Sequence, residues 1–205
     1  MLLKTGIELE LISDVKMLEM IERQKRGGLC FVGSKRHCVA NNEYMSNYDE
    51  TKPESYIMYW DADNLYGKSM SEPLPNKNSQ FIMNYSLDEI LNTADNNEIG
   101  YILEVDLSFP EHIHDKLREF PPCPENTDIK EEWLSDYQKN LLKQLKIKGS
   151  HCDKLVPHLY DHKNSVIHYR NLKFVKDLGV EITKVHNVIS FEQKPWLETY
   201  ISFNT

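Results

Sequence analysis

Residues 55–75 read SYIMYWDADNLYGKSMSEPLP. Five apolar or aromatic residues in succession, 56–60, fit a buried strand. The run stops at Asp61; Asp63 and Asn64 follow, then a short stretch ending at Pro73 and Pro75. That order predicts a strand, an acidic corner, a short helix capped by Asn64 or Asp63, and a proline stop. A carboxylate held at a strand end is a good ligand for Mg²⁺, which takes oxygen donors and few protein carboxylates. The N–H groups of Asn64, Leu65 and Tyr66 would open the helix beside it, and a helix N-terminus favours phosphate. One such turn suits a metal and a triphosphate together. The same acids serve equally as ordinary helix caps, where Asp and Asn are favoured.

The whole string resembles motif A of family B DNA polymerases, in the version found in protein-primed enzymes of viruses, linear plasmids and self-synthesising transposons. The general form there is Asp, two variable residues, Ser or Asn, Leu, Tyr, then Pro or Gly. Asp61, Asn64, Leu65, Tyr66 and Gly67 fit it position by position. The resemblance implies a catalytic Asp61 that binds Mg²⁺ with the carbonyl of Ala62. It implies that Asn64, Leu65 and Tyr66 hold the incoming dNTP through backbone N–H groups, and that the Tyr66 ring lies under the sugar. Asp63 is expected to face solvent or cap the helix.

Further segments resemble the same family in the same order. Arg26, Gly27 and Gly28 match an Arg-Gly-Gly element that touches template DNA between the exonuclease and polymerase modules. A glycine helix stop with an incidental arginine is the plainer reading of those three residues. Residues 100–115 (GYILEVDLSFPEHIHD), 168–179 (HYRNLKFVKDLG) and 184–205 resemble the stretch between motifs A and B. In protein-primed members that stretch contacts a terminal priming protein and duplex DNA. The resemblance spans residues 9–205.

The Lys-bearing motif B, the Asp-Thr-Asp of motif C and an exonuclease Asp-x-Glu are absent from the 205 residues. The expected fold is therefore α+β, a partial polymerase palm with an inserted α+β subdomain. Residues 1–54 form a helix and linker, 55–99 the palm segment, and 100–205 the insertion and the return towards the palm. The expected function is that of a fragment of a DNA-directed DNA polymerase, using a DNA template and primer, dNTPs and a terminal priming protein, and inactive alone. Two readings stand beside it: a non-catalytic DNA- or protein-binding remnant of that fold, and an Asp-x-Asp metal-dependent glycosyltransferase. The last expects a nucleotide-binding α/β region before the motif, where only a helix and a polar loop are read.

Composition bounds these readings. Hydrophobic content is 40% and charge 27%, the balance of a globular chain. No apolar run reaches the roughly 18 residues that span a bilayer, so no membrane association is expected. The net charge of −8 counts against DNA binding by this chain alone, because phosphate backbones are met by basic faces. Lys139, Lys143, Lys146 and Lys148 are the local exception. The four cysteines form no C-x-x-C pair, which fits free thiols in a reducing intracellular compartment.

Periodicity predicts the remaining elements. A helix over 7–26 starts at Ser13 and Asp14, with Leu11, Val15, Leu18 and Ile21 as its apolar stripe. A strand is expected over 29–32 and a polar loop over 34–53. Residues 76–79 read as a turn and 81–83 as a short strand. A helix is expected to be capped at Ser86. Residues 101–109 alternate as a strand, with Glu104 and Asp106 together on a solvated face or forming a second carboxylate pair. Residues 111–125 read as irregular, and 130–148 as a helix buried through Trp133, Leu134, Tyr137, Leu141, Leu142 and Leu145. Then come a strand at 165–169, a helix at 171–178 ended by Gly179, a strand at 180–191 and helical spacing over 192–203. His37–Cys38 and His112/His114 lack partners at ligand spacing. His158 and His162 are four apart, as ligands on a helix are, but Pro157 and the turn 161–164 argue against a helix there.

Overall fold

A computed structural model describes residues 5–27, 29, 37–147 and 153–204. The chain is α+β, with seven α-helices and two antiparallel sheets among the described residues. The predicted strand at 29–32 and the residues Gly28, Cys30 and Cys152 fall outside that set, apart from Leu29.

The central strand is β2 (Ile99–Ser108), and both of its faces are buried. It pairs antiparallel with β5 (His162–His168) on one side and with β6 (Glu181–Lys194) on the other. β6 in turn pairs with β1 (Leu74–Phe81), so the sheet order is β1-β6-β2-β5. The sheet thus draws on both sides of residue 100. The first face carries Leu103, Val105 and Leu107 of β2, with Ile167 and Val188. Helices α3 (Leu87–Asn92), α4 (Glu111–Leu117) and α6 (Tyr169–Asp177) cover it with Ile90, Ile113, Leu117, Leu172 and Val175. Tyr169 is fully buried there, and its hydroxyl reaches the carbonyls of Ala94 and Asp95 and accepts from Gln193 Nε2. Gly179 takes φ 103° to end α6; a Cβ there would strike Ile113.

The second face is covered by α1 (Val15–Gln24), capped by Asp14, whose Oδ1 accepts from Met17 N at 3.0 Å. Met17 and Met20 pack on Ile102, Val166, Ile189 and Phe191. This corrects the expected stripe: Leu11, Val15 and Leu18 are exposed. The helix is also shorter than 7–26, because Glu10 N donates to Asn76 O and so runs beside β1 rather than into a helical turn.

Other differences have equally local causes. β1 occupies 74–81 where a turn was read: Pro75 sits on a strand with irregular register, and Asn78 takes the bend at φ 56°. Residues 111–117 are helical because Pro110 stands at the N-cap, just outside the positions that need a donor. Over 130–148 the chain forms a 3₁₀ turn (Glu131–Trp133) and α5 (Asp136–Leu145), opened by a Ser135/Gln138 capping box. No residue of α5 is fully buried: Tyr137, Leu141 and Leu145 of the expected inner side are exposed, and Leu142, with Trp133 and Leu134 before the helix, is half-buried. β3 (Glu125–Thr127) and β4 (Lys154–Val156) pair across that excursion. The described part of loop 34–53 is knotted by Asn41, which bonds Asp49, Lys52 and Pro53, and by buried Asn42.

The predicted strand at 56–60 is absent. Tyr56, Ile57, Met58, Tyr59 and Trp60 are all exposed, and only Ser55 makes an isolated bridge, to Asn41. A strand needs a neighbour for its backbone groups, and none lies alongside this run among the described residues. No described helix is long and apolar enough to cross a membrane.

Candidate functional site

The turn after residue 60 is built by Asn64. It adopts a left-handed conformation, φ 51° and ψ 41°, which Asn tolerates better than most residues. Its Oδ1 accepts from Gly67 N at 3.1 Å and its carbonyl from Lys68 N at 3.0 Å, opening α2 (Leu65–Ser71). Gly67 is buried beneath that amide, and a Cβ there would overlap the Asn64 side chain. Asn64 and Gly67 are therefore one structural unit, and Asn64 rather than Asp63 is the cap.

Asp61, Ala62 and Asp63 are exposed on the approach to this cap, and Asp61 Oδ1 accepts from Ala62 N at 2.9 Å. Leu65 and Tyr66 follow, 57% and 87% exposed, with α2 resting against α7 (Glu198–Asn204). Asp61, Ala62, Asn64, Leu65 and Tyr66 thus share one exposed turn. Arg26 is engaged elsewhere: its Nε donates to Pro124 O and its Nη1 to Val166 O, both at 3.0 Å, and its Nη2 to Ser165 Oγ. It bolts the end of α1 to β5. Gly27 is exposed with open space around it.

A second set of polar groups lies on the α1 face of the sheet. Glu104 and Asp106 share that face, as their spacing predicts, yet they are 5% and 7% exposed instead of solvated. Glu104 accepts from Arg23 Nη1 at 2.9 Å, from Asn164 Nδ2 at 3.3 Å and from Asn187 Nδ2. Asp106 accepts from Asn164 N at 2.9 Å and Lys163 Nζ at 3.4 Å, and bonds His186 Nε2 at 2.8 Å. Irregular register on both flanking strands makes this possible. β6 skips His186 between Asn187 and Val185, and β5 skips Lys163 and Asn164 opposite Asp106. Burial pushes the Glu104 carboxyl up, but Asn187, Arg23 and Asn164 outweigh it and hold it below the usual range. The Asn164 N–H and His186 bring Asp106 down to about 2. Carboxylates this well satisfied act as a lock between strands, not as proton carriers.

A pH dependence follows. Asp106 is depressed from 3.8 to about 2, so its stabilisation is complete above about pH 4 and is lost as the pH falls through 2. Asp106→Asn is expected to flatten the fall in urea midpoint between pH 4 and pH 2, and an unchanged slope would remove Asp106 from that role.

A third group joins Glu125 of β3 to His158 and His162, with their ligand atoms all within 4.8 Å of one another. Burial lowers His162 to about 4, which keeps its ring neutral. The four-residue histidine spacing was legible in the sequence; Glu125 was not, because strand pairing alone brings it there. Among the described residues, this is the group of His, Cys, Asp and Glu placed to hold a metal. Compared with models of protein families, with curated proteins and with solved structures, the chain matches none.

Proposed function

We propose that this chain is part of a family B DNA polymerase of the protein-primed type, carrying its motif A turn and the region that follows. The parent reaction adds deoxynucleotides to a DNA 3′ hydroxyl, or to a protein hydroxyl. The observation that carries the reading is the turn itself. Asn64 and Gly67 interlock in a turn on which Asp61 and Tyr66 are both exposed, at the sequence positions where the resembled motif has its metal ligand and sugar contact.

The donor set fits Mg²⁺: an exposed carboxylate with one oxygen tied to Ala62 N, and the adjacent Ala62 carbonyl, are hard oxygen ligands. When bound, two Mg²⁺ ions supply charge stabilisation for the attacking and leaving oxygens. Asp61 and the Ala62 carbonyl would hold one metal position; the second carboxylate belongs to motif C. Leu65 and Tyr66 would offer backbone N–H groups to the triphosphate, and the Tyr66 ring would fill the space of a 2′ hydroxyl. Arg26, being bonded inside the fold, would act on template DNA by holding the adjacent Gly27 in place.

The test is template-directed primer extension with Mg²⁺ and dNTPs. The 205-residue chain alone is expected to give none. A polypeptide continuing through motifs B and C is expected to extend the primer. Extension by the short chain, or none by the longer one, would overturn the proposal.

A further inference from the structure

His162 opens β5 with its side chain fully buried, and neither ring nitrogen has a hydrogen-bond partner. Two unsatisfied nitrogens in a dry site are costly, and such groups call for a ligand or a partner. The facing groups are Glu125 and His158. Glu125 Oε1 lies 3.6 Å from His162 Nδ1, and Glu125 Oε2 lies 3.5 Å from His158 Nε2. Both separations are too long for good hydrogen bonds. They run to different oxygens of the carboxylate and lie close to the roughly 3.4 Å that separates ligands held about 2.1 Å from a zinc ion, and one ligand atom from each of the three residues lies within 4.8 Å of the others. The His158 and His162 rings meet edge-on at 4.7 Å, so they approach a common point from different directions.

We propose that Glu125, His158 and His162 form a site for one zinc-like divalent ion. Two imidazole nitrogens and one carboxylate oxygen are a borderline donor set that favours Zn²⁺ or Co²⁺ over Mg²⁺. The site is therefore chemically distinct from the all-oxygen turn at Asp61. The fourth position of a bound ion would be left to a water. Phe109, 4.8 Å from the His162 ring, and Tyr160, 5.5 Å from the His158 ring, wall the site, and Trp133 stacks on Tyr160 at 5.6 Å. Beyond Glu125 and His158, the charges of Arg26 and Asp161 act on His162 with opposite sign.

Its consequence is mechanical. Glu125 belongs to β3 and His162 to β5. Between them the chain leaves the main sheet, forms exposed α5 and returns through β4. Among the described residues, only the three-residue β3–β4 ladder closes that excursion as secondary structure. A bound ion joins its two feet to the sheet and stiffens the surface that carries α5.

Metal-free chain is titrated with Co²⁺, and the visible d–d absorption of tetrahedral cobalt is recorded. One equivalent is expected to produce the band and Zn²⁺ to abolish it, while Mg²⁺ in large excess leaves it unchanged. Glu125→Gln and His158→Ala are each expected to weaken Co²⁺ binding by about 100-fold. His112→Ala and a His37→Ala/Cys38→Ser variant, all outside the three-residue group, are expected to bind like the parent. Zn²⁺ should raise the melting temperature of the parent and not of His158→Ala, a readout that needs no His162 variant to fold. No band in the parent, or an undiminished band in Glu125→Gln and His158→Ala, overturns the site. Neither readout involves DNA synthesis, so this result and the polymerase assignment stand or fall separately.

Discussion

In a polypeptide that carries both metal carboxylates, Asp61→Ala is expected to reduce primer extension by about 10³-fold or more, because on the proposed reading it would remove a ligand whose ion stabilises charge only fully developed in the transition state. Tyr66 is expected to behave differently. A ring beneath the ribose excludes a 2′ oxygen by volume, so Tyr66→Phe keeps discrimination and Tyr66→Ala admits ribonucleotides. Were Tyr66 a core aromatic, its truncation would cost roughly 3–5 kcal/mol and depress both nucleotides alike. The ring is 87% exposed in this chain, so it is not held by packing here. The dNTP-to-rNTP incorporation ratio of Tyr66→Ala is the deciding measurement, and a ratio equal to the parent's ends the gate assignment.

Glu104→Ala is expected to destabilise the fold by roughly 2–4 kcal/mol. The substitution removes one acceptor and leaves three donors behind: Arg23, Asn164 and Asn187. Arg23 is about half exposed and recovers water, which lowers the loss below that of a fully buried pair. Asn187 and Asn164 are positioned by the irregular strand pairing and have less freedom to find water. Lys52→Ala, which breaks an exposed pair with Asp49, is the control, expected to cost under about 1 kcal/mol. Urea unfolding of the two variants checks the ordering. A Glu104→Ala loss no larger than the Lys52→Ala loss would show that the network carries no strand-locking role.

Much of the local structure is legible residue by residue. Asp14 and Ser86 cap helices where their side chains reach a backbone N–H three residues on. Gly179 ends α6, and residues 99–108 form the strand that their alternation predicts. Asn64 was one of two cap candidates in the sequence, and the contact with Gly67 that selects it needs nothing beyond the turn itself. These features depend on neighbours within about four positions, which is the range over which caps, turns and helical spacing act.

What only the tertiary structure decided lies at longer range. The expected stripe ran through Leu11, Val15, Leu18 and Ile21, whereas α1 packs through Met17, Met20 and Ile21. The sheet selects the latter, because Ile102, Val166, Ile189 and Phe191 are what it has to cover. Alternation put Glu104 and Asp106 on one face but not inside it; α1 and the skipped residues of β5 and β6 buried them. The run 56–60 has a strand's composition and no strand's neighbours, and pairing, not composition, makes a strand. The Asp61 turn is written in consecutive residues and could be read directly. Glu125 meets His158 and His162 only because β3 folds back on β4 and β5 joins the sheet, so that cluster exists in the packed chain alone.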